Sequence, residues 1–233
     1  MLFEDLKTIL ASPELMGYLL EGFRNTLILT LVAALIGLVI GFTVALVKIS
    51  AQANRYMKIP AALCNIYTTV FRGTPVALQL FIMVFAVFAI PGFKPYAAIL
   101  TFGINSGAYV SENIRAGISS VDPGQMEAGR ALGLSWRCTM LRVILPQAVK
   151  NIIPAIGNEM IALLKETSII SMVGATVGTL TFDLNAASNT VYRSVPNFLA
   201  SGLIAAVFYL AVVYLMVFLI KKMEKRLKAS DKR

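Results

Sequence analysis

The sequence predicts an all-α integral membrane protein with five transmembrane helices. Hydrophobic residues make up 58% of the 233 residues and charged residues only 14%, and the mean hydropathy is +0.76. A soluble globular domain averages roughly 45–50% apolar and about 25% charged residues. The composition therefore excludes a soluble domain and favours a chain that faces lipid.

The first predicted span is residues 25–47, which are 23 uncharged residues between Arg24 and Lys48. At about 1.5 Å per residue, a helix of this length crosses a hydrocarbon core about 30 Å thick. The stretch is too long for the apolar region of a signal peptide. The leader before it, residues 1–24, carries five apolar side chains on one helical face: Leu2, Phe3, Leu6, Ile9 and Leu10. Such a helix either lies in the membrane interface or packs against the other helices.

Four further spans are predicted, at residues 59–90, 95–111, 151–173 and 194–220. The first of these is longer than one span needs and contains Arg72-Gly73-Thr74-Pro75. Proline removes a helical hydrogen bond and glycine loosens the same turn. We therefore predict a kinked helix with an irregular turn there.

The distribution of charge predicts the orientation. The formal net charge is +9, and seven of the 21 Lys and Arg residues lie in a basic tail, residues 221–233. With the N-terminus outside, fifteen Lys and Arg residues flank the spans on the inner side and four on the outer side. Because basic residues accumulate on the cytoplasmic side, the predicted architecture is N-out and C-in. The charge thus marks topology and not nucleic-acid binding.

Several kinds of active site are excluded by the residue inventory. The chain has no histidine, which rules out a Ser-His-Asp triad, a histidine proton relay and a His-bound zinc or iron site. The two cysteines, Cys64 and Cys138, cannot form a metal cage, and their contexts do not favour a disulfide. The phosphate-cradling pattern G-x-x-x-x-G-K-[ST] is also missing from the sequence. We expect no enzyme activity, no metal and no cofactor on this chain.

The loop between spans three and four, residues 116–150, predicts two short helices. The first has three start signals: Asp122 as N-cap, Pro123 as first helical residue and Gln125 in a position like that of a capping box. Gly133 is a good terminator for this helix. Ser135 can cap the second helix, and Pro146 is expected to stop it. A folded, charged protrusion indicates a docking element, and a solvated connector is the alternative.

The same loop resembles a known motif. Glu127-Ala128-Gly129, three residues, Gly133, nine residues, Val143, one residue and Leu145-Pro146 is similar to the EAA loop of bacterial ABC importer permeases. In that family the pattern is E-A-A, three residues, G, nine residues, I-x-L-P, so this chain departs at Gly129 and Val143. Three further segments look like the polar amino acid branch: residues 71–75, 108–118 and 163–168. The resemblance covers about residues 20–220.

This resemblance implies a permease of the type I ABC importer fold for polar or basic amino acids, in the bacterial cytoplasmic (inner) membrane. The transmembrane domain is then residues 25–220. The loop couples it to cytoplasmic ATPase subunits, which hold the ATP and Mg, through Glu127, Ala128, Gly129, Gly133, Leu145 and Pro146. A second permease chain, identical or homologous, and an extracytoplasmic amino-acid-binding protein complete the expected complex, without nucleic acid. A secondary transporter or channel for small polar solutes is the alternative, and it leaves the EAA-like loop unexplained.

Charges at membrane depth predict the substrate path. Each costs about 2.5–3.5 kcal/mol on insertion scales and generally faces a cavity or a partner. We expect Arg72, with Thr74 beside the broken turn, to bind the substrate carboxylate, and Glu159 to meet an ammonium group or a basic side chain. The alternative is a structural role: an Arg72–Glu159 ion pair, or separate pairs such as Glu159 with the backbone of the helix bundle. Glu112 and Arg115 are expected to form a local ion pair. The resemblance suggests packing or gating roles for three other residues: Lys165, Glu166 and Thr167.

Overall fold

The computed structural model describes residues 1–229, and every regular element in this part of the chain is helical. The α-helices are α1 (Leu2–Ala11), α2 (Pro13–Ser50), α3 (Lys58–Gly73), α4 (Val76–Ile82), α5 (Lys94–Ser119), α6 (Gly124–Ala131), α7 (Trp136–Thr139), α8 (Leu145–Glu166), α9 (Leu184–Ser194) and α10 (Phe198–Ala229). The predicted all-α class is confirmed. The end of the predicted basic tail, residues 230–233, lies outside the described residues.

Two helices of the described chain, α2 and α10, are long and apolar enough to cross a membrane alone. The segments Arg55–Gly73 and Val76–Val87 pass the same test only as a bent pair. The break is where the sequence predicts it, because Thr74 (φ −119°, ψ 148°) and Pro75 (φ −61°, ψ 132°) are extended. By length and composition, the described helices thus provide two membrane spans, or three if the bent pair is one span. The predicted five spans remain a prediction.

Helix boundaries differ from the prediction at several places. The first long helix begins at Pro13 and so includes half of the predicted leader. The helix α5 runs to Ser119, eight residues past the predicted end of span three. The helix α9 was not predicted, because its sequence is mostly polar and small and carries no apolar run.

The chain forms two compact units. Unit 1 consists of residues 1–35, 75–103 and 161–215, and unit 2 of residues 36–74, 104–160 and the chain from Met216. The core of unit 1 includes Ile9, Leu19, Phe182, Leu184, Ala187, Val191 and Ala200. From α1, Leu2 and Leu6 also pack there, whereas Phe3 and Leu10 are 80% and 58% exposed. The leader therefore contributes to the core of unit 1 through only part of its apolar set.

The start of α9 is anchored in unit 1 by polar groups of α2. Asn25 Nδ2 donates to the carbonyl oxygens of Thr179 (3.0 Å) and Phe182 (2.9 Å). The Leu184 N–H donates to Thr26 Oγ1 at 3.0 Å. These bonds satisfy backbone groups that a helix start and its preceding loop leave unpaired.

Asp183 caps α9 from a fully buried position. Its Oδ1 accepts from the Ala186 N–H at 2.9 Å, while its buried Oδ2 has no hydrogen-bond partner among the described residues. Burial raises the pKa of the Asp183 carboxyl from its ordinary 3.8 to about 7, against the lowering effect of backbone hydrogen bonds. A carboxyl with so few partners favours its neutral form.

This environment predicts a pH-dependent stability. The folded state keeps the Asp183 proton up to about pH 7, whereas the unfolded chain loses it near pH 4. Stability should therefore fall between about pH 4 and pH 7, by up to about 4 kcal/mol, and be unaffected by this group above that range. Thermal unfolding of the detergent-solubilised protein should show a smaller loss over this range for Asp183→Asn, which retains a capping oxygen.

The matched control is Asp122→Asn, since Asp122 also lies at a helix start but is exposed. Its pH profile should run parallel to that of the wild type. A parallel profile for Asp183→Asn would contradict the assignment.

Candidate functional site

In unit 2, the loop between α5 and α8 folds much as the sequence predicts. Asp122 Oδ1 accepts from the Gly124 N–H at 2.8 Å at the start of α6. Gly133 has φ +79°, a left-handed conformation that is costly for residues with a Cβ atom. Ser135 Oγ accepts from the Cys138 N–H at 3.3 Å and caps α7. The predicted signals at Gly133 and Ser135 are confirmed. The helix α6 begins at Gly124 with Pro123 at its N-cap position, which is one residue later than predicted.

The expected stop at Pro146 is wrong. The helix α7 continues through a π turn, Met140–Ile144, into α8, and Pro146 is the second residue of α8. Proline lacks the N–H that an α-helix would use and its ring crowds the preceding turn. The wider π turn immediately before it accommodates this defect. The predicted second loop helix is therefore continuous with the predicted fourth span.

The helix α6 packs closely against α7 at Gly129. This glycine is buried, and a Cβ atom built on it would lie 2.5 Å from Cγ2 and 2.6 Å from Oγ1 of Thr139. Thr139 is itself fully buried, and its Oγ1 donates to the Ser135 carbonyl at 3.2 Å. The departure from E-A-A at this position thus has a physical reason, since an alanine does not fit beside Thr139.

The opposite side of α6 faces outward. Glu127, Ala128 and Arg130 are exposed, and Leu132, just after the helix, is 81% exposed. Of the other predicted coupling residues, Pro146 is exposed and Leu145 is half-buried. Because α6 is fixed by Gly129 from behind, it presents these side chains on a defined surface. That surface can contact a partner protein through both charged and apolar groups.

A second cluster in unit 2 surrounds the carboxylate of Glu112. Oε1 lies 2.8 Å from Lys48 Nζ, and Oε2 lies 2.9 Å from Arg115 Nε and 3.8 Å from Arg72 Nη1. Lys48 Nζ also donates to Thr68 Oγ1 at 2.8 Å. The predicted Glu112–Arg115 pair is confirmed, and the observed acidic neighbour of Arg72 is Glu112.

A polar cavity of about 530 Å³ adjoins this cluster and is lined by Asn65, Thr68, Thr69, Arg72, Gly73, Glu112 and Arg115. The Arg72 guanidinium lies 5.3 Å from the centre of the Tyr109 ring, a distance typical of cation–π contacts. Asn105 Nδ2 donates to the Phe71 carbonyl at 3.1 Å beside the broken turn. The cavity is therefore held by α3 and α5 and offers guanidinium, amide and hydroxyl groups to a ligand.

The remaining predicted site residues are placed as follows. Thr74 is exposed and its Oγ1 donates to the Val70 carbonyl at 2.8 Å. Glu159 is half-buried on α8 in unit 2. In unit 1, Lys165 is exposed, and buried Thr167 donates to the Leu164 carbonyl at 2.8 Å. Glu166, beside them, is half-buried. Their roles remain predictions.

Lys48 is the site residue that sequence reasoning missed. The sequence indicates Lys48 only as a basic residue that flanks a span, yet its side chain is 6% exposed. The spacing held a signal, because Lys48 follows Gly41 by seven residues and therefore shares its helical face. Within residues 1–229, no group of three or more His, Cys, Asp and Glu side chains is placed to hold a metal ion.

The helical fold, the apolar spans and the outward-facing loop define a membrane component of a transport system. Residues 37–229 match the family of binding-protein-dependent transport system inner membrane components. The chain belongs to this family and is the permease of an ABC importer, not an enzyme; in this family the ATPase is a separate subunit.

Named relatives and solved structures agree with this assignment. The arginine transport system permease protein ArtQ of Bacillus subtilis (strain 168) is 40% identical over 92% of this chain and 94% of its own length. The putative glutamine transport system permease protein GlnP of Rickettsia bellii (strain RML369-C) is 40% identical over 94% and 96%. A chain in the crystal structure of an amino acid ABC transporter with histidines has a TM-score of 0.82 and 34% identity, over 94% and 98%. The MetNI methionine transporter, at 22% identity and a TM-score of 0.75 over 93% and 99%, shares the fold.

The contact between α6 and α7 predicts the effect of restoring the family alanine. Gly129→Ala should displace α6, because overpacking a buried site costs about 1–3 kcal/mol and Thr139 is a stiff β-branched neighbour. Trypsin cleavage at the exposed Arg130 and Arg137 in native membranes should then accelerate. Combining it with Thr139→Ala should return cleavage to near the wild-type rate, because both clashing atoms are removed.

Thr139→Ala alone is the control for the lost threonine packing. Equal cleavage of the wild type and Gly129→Ala would contradict the close contact.

Proposed function

We propose that this chain carries polar or basic amino acids across the bacterial inner membrane and is driven by ATPase subunits that bind its α6 surface. The observation that carries the proposal is the outward face of α6, which presents the EAA-like residues Glu127 and Ala128 on a loop clamped from behind at Gly129. A charged and apolar surface of this kind fits a protein partner better than a solvated connector. The names of the arginine and glutamine permeases support the substrate class.

The proposed topology has five spans with the N-terminus outside and the C-terminus inside. Besides the two long helices and the broken pair, it assigns spans to α5 and α8, whose charges at Glu112, Glu159 and Lys165 lower their hydropathy. The excess of basic residues on one side supports the orientation. It places residues 116–150 and the basic tail in the cytoplasm, where an ATPase is available.

The proposed complex contains two permease chains, identical or homologous, two ATPase subunits and an extracytoplasmic binding protein. The coupling surface consists of Glu127, Ala128, Gly129, Gly133, Leu145 and Pro146. Nucleotide and Mg belong to the ATPase in this arrangement, and the permease holds no cofactor of its own. Membrane lipid surrounds the exposed apolar side chains of α2 and α10.

Within the permease, we assign Arg72 and Thr74 to the substrate carboxylate and Glu159 to its ammonium group or basic side chain. The polar cavity at Arg72 and the half-burial of Glu159 support this assignment. Lys165 and Glu166 end α8, and Thr167 begins the 3₁₀ segment Thr167–Val173. A change of helix type at that point suits a gating or packing role.

Coupling is tested by a mild-detergent pull-down of the chain from native membranes, with mass spectrometry and an ATPase assay of the eluate. The wild type should retain an ATPase subunit, and a crosslink from Cys138 to that subunit would also fix the orientation. The variants Glu127→Lys and Gly133→Asp should insert normally, but the amount of bound ATPase subunit and the rate of uptake should each fall by about tenfold or more. In Glu127→Lys the reversed charge opposes the partner, and in Gly133→Asp the added Cβ atom strains the left-handed turn.

Glu4→Lys is the matched control, since Glu4 is exposed on α1. Normal uptake by both loop variants at equal expression would contradict coupling through α6. Recovery of the chain without any ATPase, even after crosslinking, would favour a secondary transporter or channel.

The role of Glu159 predicts a change in substrate preference. In proteoliposomes with the complete complex, Glu159→Gln should reduce arginine uptake by about tenfold, the loss expected for about 1.4 kcal/mol. Glutamine uptake should change less, because it presents no cationic side chain. Glu159→Asp retains the charge and is the control. Unchanged uptake of both substrates would remove Glu159 from the path.

A further inference from the structure

The cluster in unit 2 contains more positive charge than its acid can neutralise. Lys48, Arg72 and Arg115 surround the single carboxylate of Glu112, which is the only acid among the described residues that line the cavity. Lys48 and Glu112 are 6% and 15% exposed and lie 2.8 Å apart. These two form a nearly buried neutral pair. The guanidinium groups of Arg72 and Arg115, in side chains that are 42% and 51% exposed, remain to attract an anion.

The second oxygen of Glu112 is shared unequally by the two arginines. Its distance to Arg115 Nε is 2.9 Å, a normal charge-assisted hydrogen bond. Its distance to Arg72 Nη1 is 3.8 Å, which is beyond hydrogen-bond range. The Tyr109 ring, 5.3 Å from the Arg72 guanidinium, supports that group from another side. Arg72 is therefore positioned beside the acid without being strongly bound to it.

We infer that Arg72 and Arg115 jointly bind the α-carboxylate of the transported amino acid, and that Glu112 is an internal carboxylate which the substrate displaces from Arg72. Guanidinium groups match a carboxylate through paired parallel hydrogen bonds. The cavity volume of about 530 Å³ lies in the usual range of small-molecule sites, about 300–1,000 Å³. The inference rests on the proposed function and adds Arg115, Glu112 and Lys48 to its site.

Lys48 acts in this arrangement as a positioning residue. By donating to Glu112 and Thr68, each at 2.8 Å, it fixes the carboxylate and cancels its charge. Without Lys48, the negative charge of Glu112 would no longer be neutralised. Glu112 would then bind both guanidinium groups more strongly and compete with the substrate carboxylate for them. Glu112→Gln alone would leave a buried lysine unpaired, which is costly. The double variant Lys48→Met/Glu112→Gln removes both charges together and leaves the two arginines unchanged.

The test is binding of radiolabelled arginine and glutamine to the purified permease–ATPase complex in nanodiscs, without the binding protein. Competition by each unlabelled amino acid is compared with competition by its α-carboxamide, which lacks the negative charge. The wild type should prefer the carboxylate by about tenfold or more. Arg72→Gln and Arg115→Gln should each reduce this preference to about twofold or less.

The positioning role gives two further readouts in the same assay. Lys48→Met should weaken amino acid binding by about tenfold, whereas the double variant should bind at least as tightly as the wild type. Arg55→Gln removes an exposed arginine of unit 2 outside the cavity and should change nothing. Tight binding by the double variant also demonstrates that it is folded.

Three results would overturn the inference. These are an undiminished carboxylate preference in either arginine variant, weak binding by a folded double variant, and failure of both arginine and glutamine to bind a wild-type complex that hydrolyses ATP and transports either of them. The last differs from failure of the proposed function, in which the chain retains no ATPase and supports no ATP-driven uptake.

Discussion

The carboxylate of Glu112 is the charge around which three helices of unit 2 are arranged. A nearly buried charge must be paired, since breaking such a pair costs about 3–5 kcal/mol. Lys48 on α2 supplies the partner, and its second hydrogen bond, to Thr68, adds α3. Glu112 belongs to α5, so one acid joins three helices. The contact of Lys48 with Glu112 and Thr68 therefore sets how far α2, α3 and α5 can slide along one another.

The backbone contact between α2 and α5 makes that pairing possible. A Cβ atom at Gly41 would lie 2.5 Å from Val110 Cγ1, and one at Gly37 would lie 2.9 Å from Ser106 Cβ. Lys48 shares the helical face of Gly41, so close approach of the helices brings its ammonium group to α5. A second face of α5 contacts α3 through three side chains that are four and three residues apart. Asn105 binds the backbone at the broken turn, Tyr109 lies beside Arg72, and Glu112 lies in the ion cluster. Local spacing and buried charge therefore select the same arrangement.

Features that depend on a few neighbouring residues could be predicted from the sequence. The broken turn at Thr74-Pro75, the left-handed Gly133 and the Ser135 cap each follow from local backbone chemistry. Features that depend on distant partners could not. Arg72 was paired with Glu159 as an alternative because helical rise alone gives depth and not direction, whereas the observed neighbour, Glu112, lies across a helix contact. The stop at Pro146 failed because a π turn, which no residue pattern announces, precedes it.

The continuity of α7, the π turn and α8 determines how a movement of α6 would be passed to α8 if a partner binds α6 as proposed. The start of the loop is fastened to α8 by Asn151 Nδ2, which donates to Ser120 Oγ at 2.8 Å. Within the loop, α6 is fastened to α7 by the Gly129–Thr139 contact. At its start the loop joins α5 four residues after Arg115, the last charge of the ion cluster. A force on α6 would therefore act on a folded unit that is attached to α5 at one end and, through α7, to α8 at the other. The attachment to α5 lies close to Arg115, whose guanidinium group lines the polar cavity. The polar cavity and the α6 surface are consequently both connected to α5, so a displacement of α6 that shifted this helix would also change the distance between Arg115 and Arg72.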